Sequence, residues 1–245
     1  MSFPKISRKI ESSQETITIQ FLTENRELIL NKEKCLGCGT CFRVCPKEAI
    51  NRGPIGASRR ATIQKFPTKE DIIPEIYNVN KCVFCGTCVY FCPVSALTIK
   101  KNGNIVNLED IEIVKQKVVP KLEFEAKKIK DSKNIERTIK QYAKAEISVI
   151  DEQCPRGCST CATVCPSGTI AIAKKPEHGW EFSKNVEVVD ADACIACAAC
   201  DNACPTGALQ LKITEVKTSG DYNAIFWDDL IKRLKHLRWS NIKEA

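Results

Sequence analysis

The chain has 245 residues, 43% of them apolar, and carries 37 Lys and Arg against 30 Asp and Glu for a formal charge of +7. No run of about 18 apolar residues occurs, which excludes a membrane-spanning helix. Met1 to Gln20 carries Lys5, Arg8, Lys9, Glu11 and Glu15 among scattered apolar residues, without the continuous apolar stretch of an export signal, so a reducing cytoplasm is the expected location.

In chain order, residues 1–29 read as an N-terminal strand or extension, 30–105 as a first compact unit, and 106–147 as a charged, partly helical linker. A second unit spans 148–216, and 217–245 forms a C-terminal amphipathic helix. The fold class is α+β, with short hairpins and short helices in both units.

A pattern of roughly forty residues occurs four times: a short extended segment, a cysteine loop and a helical turn. The extended segments end at Lys34, Lys81, Gln153 and Ala193, each entering a polar turn. Pro46, Pro93, Pro166 and Pro205 directly follow the last cysteine of each loop and are read as starting a helical turn that leads into a strand.

In the linker, Lys115 to Glu146 is rich in Lys and Glu. Ser132 is placed to cap a helix on which Ile135, Ile139 and Tyr142 make one narrow apolar stripe, facing its own unit or a partner. Beyond a turn at Ser219, Gly220 and Asp221, a second stripe of Trp227, Leu230, Ile231, Leu234 and Leu237 is interleaved with Lys232, Arg233, Lys235 and Arg238. Such a helix folds back on its own unit, docks onto another subunit, or lies on a membrane surface.

All 16 cysteines fall into four groups with none left over. Without them the apolar share drops to about 36%, thin for a chain that must bury two separate cores. A disulfide scaffold would need an oxidising compartment, and a zinc ribbon would pair two C-x2-C motifs across a longer spacer. Three of the groups here read C-x2-C-x2-C-x3-C-P, and the other has one extra residue between its first two cysteines. That spacing suits a cubane, because three thiolates must reach three iron corners only a few ångströms apart.

Small residues let the loop close. Gly37, Gly39 and Gly86 allow backbone amides to approach the cluster sulfurs and tune the potential, and Ala196, Ala198 and Ala199 avoid clashes in the fourth group. The widened third loop, Cys154-Pro155-Arg156-Gly157-Cys158, places Arg156 where its charge would raise the potential of one cluster. His178 and His236 lie away from the cysteines, and His178 reads as a solvated turn residue.

These motifs resemble the bacterial dicluster ferredoxins, strung together as in the polyferredoxins, from about Leu30 to Leu211. The resemblance implies four 4Fe-4S clusters, each held by three cysteines of one group and the last cysteine of its neighbour. The first cluster takes Cys35, Cys38, Cys41 and Cys92; the second Cys82, Cys85, Cys88 and Cys45. The third takes Cys154, Cys158, Cys161 and Cys204; the fourth Cys194, Cys197, Cys200 and Cys165.

Each oxidised cluster with four thiolates carries about −2, so four of them turn +7 into about −1. The basic excess therefore reads as balancing buried cluster charge, with nucleic acid a minor alternative.

The run from Cys45 to Ala57, ahead of Cys82 to Cys88, is similar to the polyferredoxin subunit of archaeal formylmethanofuran dehydrogenase. A hydrogenase-associated or heterodisulfide-reductase-associated polyferredoxin is the alternative. Either implies a non-catalytic chain relaying electrons between catalytic subunits and a soluble ferredoxin or another low-potential donor.

Overall fold

The computed structural model describes residues 4–51, 73–130, 136–173 and 185–235. Strands β1 (Lys5–Ile10), β2 (Gln14–Gln20), β3 (Asn25–Asn31), β4 (Leu97–Lys101) and β5 (Asn104–Ile105) form one antiparallel sheet in that order. Leu30 at the end of β3 lies opposite Leu97 at the start of β4. The approach to the first cysteine group is thus stitched to the exit from the second.

Alternation in β2 turns Glu15, Ile17 and Ile19 inward. Glu15 is 1% exposed. Its carboxylate accepts from Arg8 Nε at 2.6 Å and from the amide of Ile76 at 3.3 Å, which fastens the N-terminal hairpin to the segment leading into the second cysteine group.

Short helical turns α1 (Thr40–Arg43) and α2 (Thr87–Tyr90) each contain the third cysteine of a group, and α3 (Glu112–Lys115) follows the sheet. These turns precede the last cysteine, not the proline after it. The three residues between third and fourth cysteine complete one turn. After Pro46 and Pro93 the chain makes a tight turn with Glu48 and Ser95 in the left-handed region. Gly168 and Gly207 hold the same place after Pro166 and Pro205, so this feature recurs in all four groups. A helix cannot continue through a left-handed residue, which is why the sequence expectation misplaced the turn.

The expected linker helix is a pair of strands. Beyond β6 (Lys121–Leu122), β7 (Glu125–Lys130) and β8 (Glu136–Gln141) form an antiparallel hairpin. Ser132 and Ile135 lie outside the described residues. Ile129 and Ile139 are buried together with Leu36, Val164 and Ile195, which belong to both cysteine-bearing halves. Burial against that seam outweighs the weak helical periodicity.

Polar contacts hold the hairpin to both sides. The amide of Lys140 donates to Pro93 O at 2.8 Å and Tyr142 Oη donates to Phe91 O at 2.9 Å. On the other side, Gln141 Nε2 donates to Cys194 O at 3.0 Å and Lys127 Nζ to Asp192 O at 2.7 Å.

The second half repeats the first. Strand β9 (Ala143–Val149) leads into the third group and α4 (Thr160–Val164), and β10 (Ile170–Ile172) pairs with β11 (Val186–Val188). Then come α5 (Ala199–Ala203) and β12 (Leu209–Val216), whose Leu209 lies opposite Val149. His178 lies outside the described residues. One continuous apolar core contains residues of both halves, where the sequence suggested two.

A short β13 (Thr218–Ser219) pairs with β6, and the chain ends its described course in α6 (Ala224–Lys235). This helix buries Trp227, Leu230 and Leu234. Trp227 stacks on Phe91, with ring centroids 6.2 Å apart, so α6 folds back onto the first half and not the adjacent second half. Leu237, His236 and Arg238 lie outside the described residues.

Candidate metal centres

All sixteen cysteines are free thiols, which removes the disulfide scaffold. In the three regular groups, the residues just before and just after the second cysteine are left-handed. They are Gly37 and Gly39, Phe84 and Gly86, and Ala196 and Ala198. The repeated curl wraps the loop inward, and the amides of Gly37 and Ala196 donate to the Sγ of Cys35 and Cys194, each at 3.4 Å.

Gly39 and Gly86 have an additional role. A Cβ at Gly39 would overlap Asn202 Nδ2 and the Phe42 ring, and one at Gly86 would overlap Ile111 Cγ2. The third group keeps the first left-handed residue at Gly157 but not the second, since Ser159 has φ −126°. Its extra residue widens the loop outward, leaving Arg156 on the surface, where solvent screens its charge.

Further donors reach the sulfurs from the tight turns after the prolines. The amides of Ala49, Ala96 and Leu209 donate to the Sγ of Cys45, Cys92 and Cys204 at 3.3, 3.2 and 3.4 Å. Hydroxyls complete the set: Thr40, Thr87 and Thr160 lie 3.4, 3.2 and 3.6 Å from the Sγ of Cys38, Cys85 and Cys158. The sequence reading passed over these threonines, although each stands directly before the third cysteine of its group.

The fold brings the last cysteine of each group to its neighbour. Cys45, Cys82, Cys85 and Cys88 line one pocket between β3, β4 and the second loop. Burial first, then the charges of Cys35, Cys38, Cys88 and Cys92, push the Cys41 thiol well up. Cys161 is raised to about 12 by burial and then by Cys204, and Cys200 well up by burial and then by Cys197, Cys165 and Cys194. Burial likewise lifts Cys82 to about 11.

Such thiols are poorly ionised in an empty site, so they suit a cationic core that stabilises all four as thiolates. A zinc ion needs its four ligands within about 2.3 Å of one point. Among the described residues no three or more His, Cys, Asp or Glu side chains converge closely enough to hold a single ion. Thiols that are clustered yet too far apart for one atom fit a larger core.

Two matches to family models agree with this geometry. One 4Fe-4S dicluster domain model matches residues 27–93, and a second matches 81–169 and 153–208. The chain belongs to the 4Fe-4S dicluster family. As a polyferredoxin it carries 4Fe-4S clusters, about four for sixteen cysteines, and serves electron transfer.

Among curated proteins it is 50% identical over 40 residues to the polyferredoxin protein FwdF of Methanocaldococcus jannaschii. That match spans 16% of this chain and 11% of the relative's length. Among solved structures it resembles a chain of the formate dehydrogenase, heterodisulfide reductase and formylmethanofuran dehydrogenase complex from Methanospirillum hungatei. The TM-score is 0.73 at 23% identity, covering 96% of this polyferredoxin and 92% of that chain, a likeness of fold. No helix among the described residues is long and apolar enough to cross a membrane.

The two halves meet through their cysteine loops. Asn202 Nδ2 on α5 donates to Cys38 O at 2.8 Å, and the Cys197 thiol is raised by burial first and by the charge of Cys38 next. At another edge, Arg233 Nη2 on α6 donates to Cys45 O at 2.7 Å. Neither contact had a local signal in the sequence.

Proposed function

We propose that this chain is a non-catalytic electron relay of a cytoplasmic oxidoreductase complex, passing electrons between its catalytic subunits and a low-potential donor such as a soluble ferredoxin. The four ligand sets are crosswise: Cys35, Cys38, Cys41 and Cys92; Cys82, Cys85, Cys88 and Cys45; Cys154, Cys158, Cys161 and Cys204; Cys194, Cys197, Cys200 and Cys165. The observation that carries this reading is the cavity lined by Cys45 together with Cys82, Cys85 and Cys88, three thiols of one group and the last of another.

The burial of Cys38 and Cys197 in one cluster at the seam supports a continuous route. Electrons would run from the second site to the first, cross to the fourth and reach the third. The complex we favour is of the formylmethanofuran dehydrogenase kind, because a 40-residue stretch is 50% identical to the polyferredoxin protein FwdF and a similar fold belongs to a complex whose name includes that enzyme.

Anaerobically purified chain should contain about sixteen irons and as many acid-labile sulfides, and should be reduced reversibly by dithionite. Four zincs and no sulfide would end the cluster assignment. Identification of subunits that co-elute under anaerobic conditions decides the complex, and a hydrogenase partner would replace the one favoured here.

A further inference from the structure

Arg43 is the most deeply buried charged side chain near the cysteines, 1% exposed. It sits on α1 between Cys41 and Cys45. Among the described residues only Nη2 has hydrogen-bond partners, the carbonyl of Cys38 at 3.3 Å and Thr40 Oγ1 at 3.2 Å, and neither is a carboxylate. Nε and Nη1 are buried without a hydrogen-bond partner. A guanidinium is a fixed cation, and burying one without a compensating anion is strongly unfavourable. Among the described residues no ion pair to Arg43 is present, so its counter-charge is sought in what the adjacent cysteines would hold.

The surroundings name that anion. Thr40, which Arg43 contacts, also contacts Cys38 Sγ. The arginine thus stands beside Cys38, one of the four proposed ligands of the first cluster, which would carry about −2.

Comparison with the other groups isolates the charge. Two residues after the third cysteine stand Arg43, Tyr90, Thr163 and Asn202, so only the first group has a cation there. Tyr90 spends its hydroxyl on Pro120 O and Thr163 on Ser159 O. Asn202, from the other half, donates to Cys38 O, the same carbonyl that Arg43 uses. The two equivalent positions meet at the seam.

Building on the relay and the ligand sets proposed above, we infer that Arg43 is the potential-setting residue of the first cluster and makes it the highest-potential site of the chain. One electron from the donor adds one negative charge there, with no bond made and no proton moved, and the adjacent fixed cation stabilises that reduced form more than the oxidised one. Electrons would then rest at the seam between the halves before leaving either way.

The test is an anaerobic redox titration followed by EPR on full-length chain loaded to about sixteen irons. Arg43→Gln should lower one of the four midpoints by at least tenfold in its reduction equilibrium constant, about 59 mV for a one-electron couple. The other three should stay in place. Arg43→Lys should keep that midpoint, and Arg156→Gln, which changes a surface arginine, should move none. Four unmoved midpoints in Arg43→Gln would overturn the inference.

If the glutamine variant fails to hold the first cluster, the lysine variant carries the test. A tenfold fall there, with the charge retained, would assign the effect to hydrogen-bond geometry and overturn the charge role. Wild-type chain without iron or sulfide would instead sink the cluster assignment itself, an outcome visible before any variant is made.

Discussion

A sulfur atom in a cluster site is a weak acceptor whose partners act on redox balance more than on folding, because reduction adds charge that each donor stabilises. The threonine before the third cysteine is paired with a sulfur in three of the groups, accepting from the free thiol of Cys38 or Cys158, and its hydroxyl would donate once that sulfur is a thiolate. Thr87 lies 3.2 Å from Cys85 Sγ and is wholly buried. Thr87→Val should lower one midpoint by the equivalent of about 1 kcal/mol while leaving iron content intact, as measured by EPR-monitored titration.

Glycine substitutions separate two effects. Gly39→Ala adds a left-handed penalty of ~1–2 kcal/mol to an overlap with Asn202, so cluster loss should occur at clearly lower guanidinium concentration. Gly157→Ala faces open space, so only the conformational penalty of ~1–2 kcal/mol applies and the shift should be smaller.

The strands and helices show where local pattern was a poor guide. Ile139 and Tyr142 are spaced for a helix, yet Ile139 lies within a strand that plugs the seam and Tyr142 directly follows that strand. The pattern of charge and apolar residues across 125–141 fits either structure, and the apolar surfaces waiting on both halves select the strands. For α6 the periodicity was correct and its docking site was open. Trp227, stacked on Phe91 within a group of rings that includes Tyr142 and Phe124, shows which surface it covers. Trp227→Ala should cost ~3–5 kcal/mol and, by loosening the helix that carries Arg233 to Cys45, should speed loss of iron from the second site under chelator.

Across the molecule, cohesion is shared between a thin apolar core and the clusters. Complete removal of iron should leave the chain largely unfolded, and near-native circular dichroism after that treatment would count against this view. Loading is linked to protons. In the empty fold burial raises the thiols, Cys82 to about 11 and Cys161 to about 12, so these thiols are protonated throughout the neutral range and each must lose its proton when a cluster binds. Because the chain without iron is largely unfolded, its thiols return toward their ordinary value of about 8.5, so cluster retention should strengthen as pH rises from 6 and level off at about 9. Iron release to a chelator, timed across that range, checks the sign.

The cofactor and the number of clusters were readable in the linear chain because a cubane is gripped by short loops: four cysteines within eleven or twelve residues is local geometry, and so is the proline after them. Arg43 was just as visible as a letter, but nothing local marked it as buried. Its neighbours at the seam come from far away, since Asn202 is 164 residues from Cys38 and Arg233 is 188 from Cys45. Contacts over such separations depend on how two complete halves fit together. Only folding brings the first and fourth loops face to face, closes the hairpin over them and encloses one arginine beside the first cysteine loop, because burial is a property of the packed chain and not of any short stretch of it.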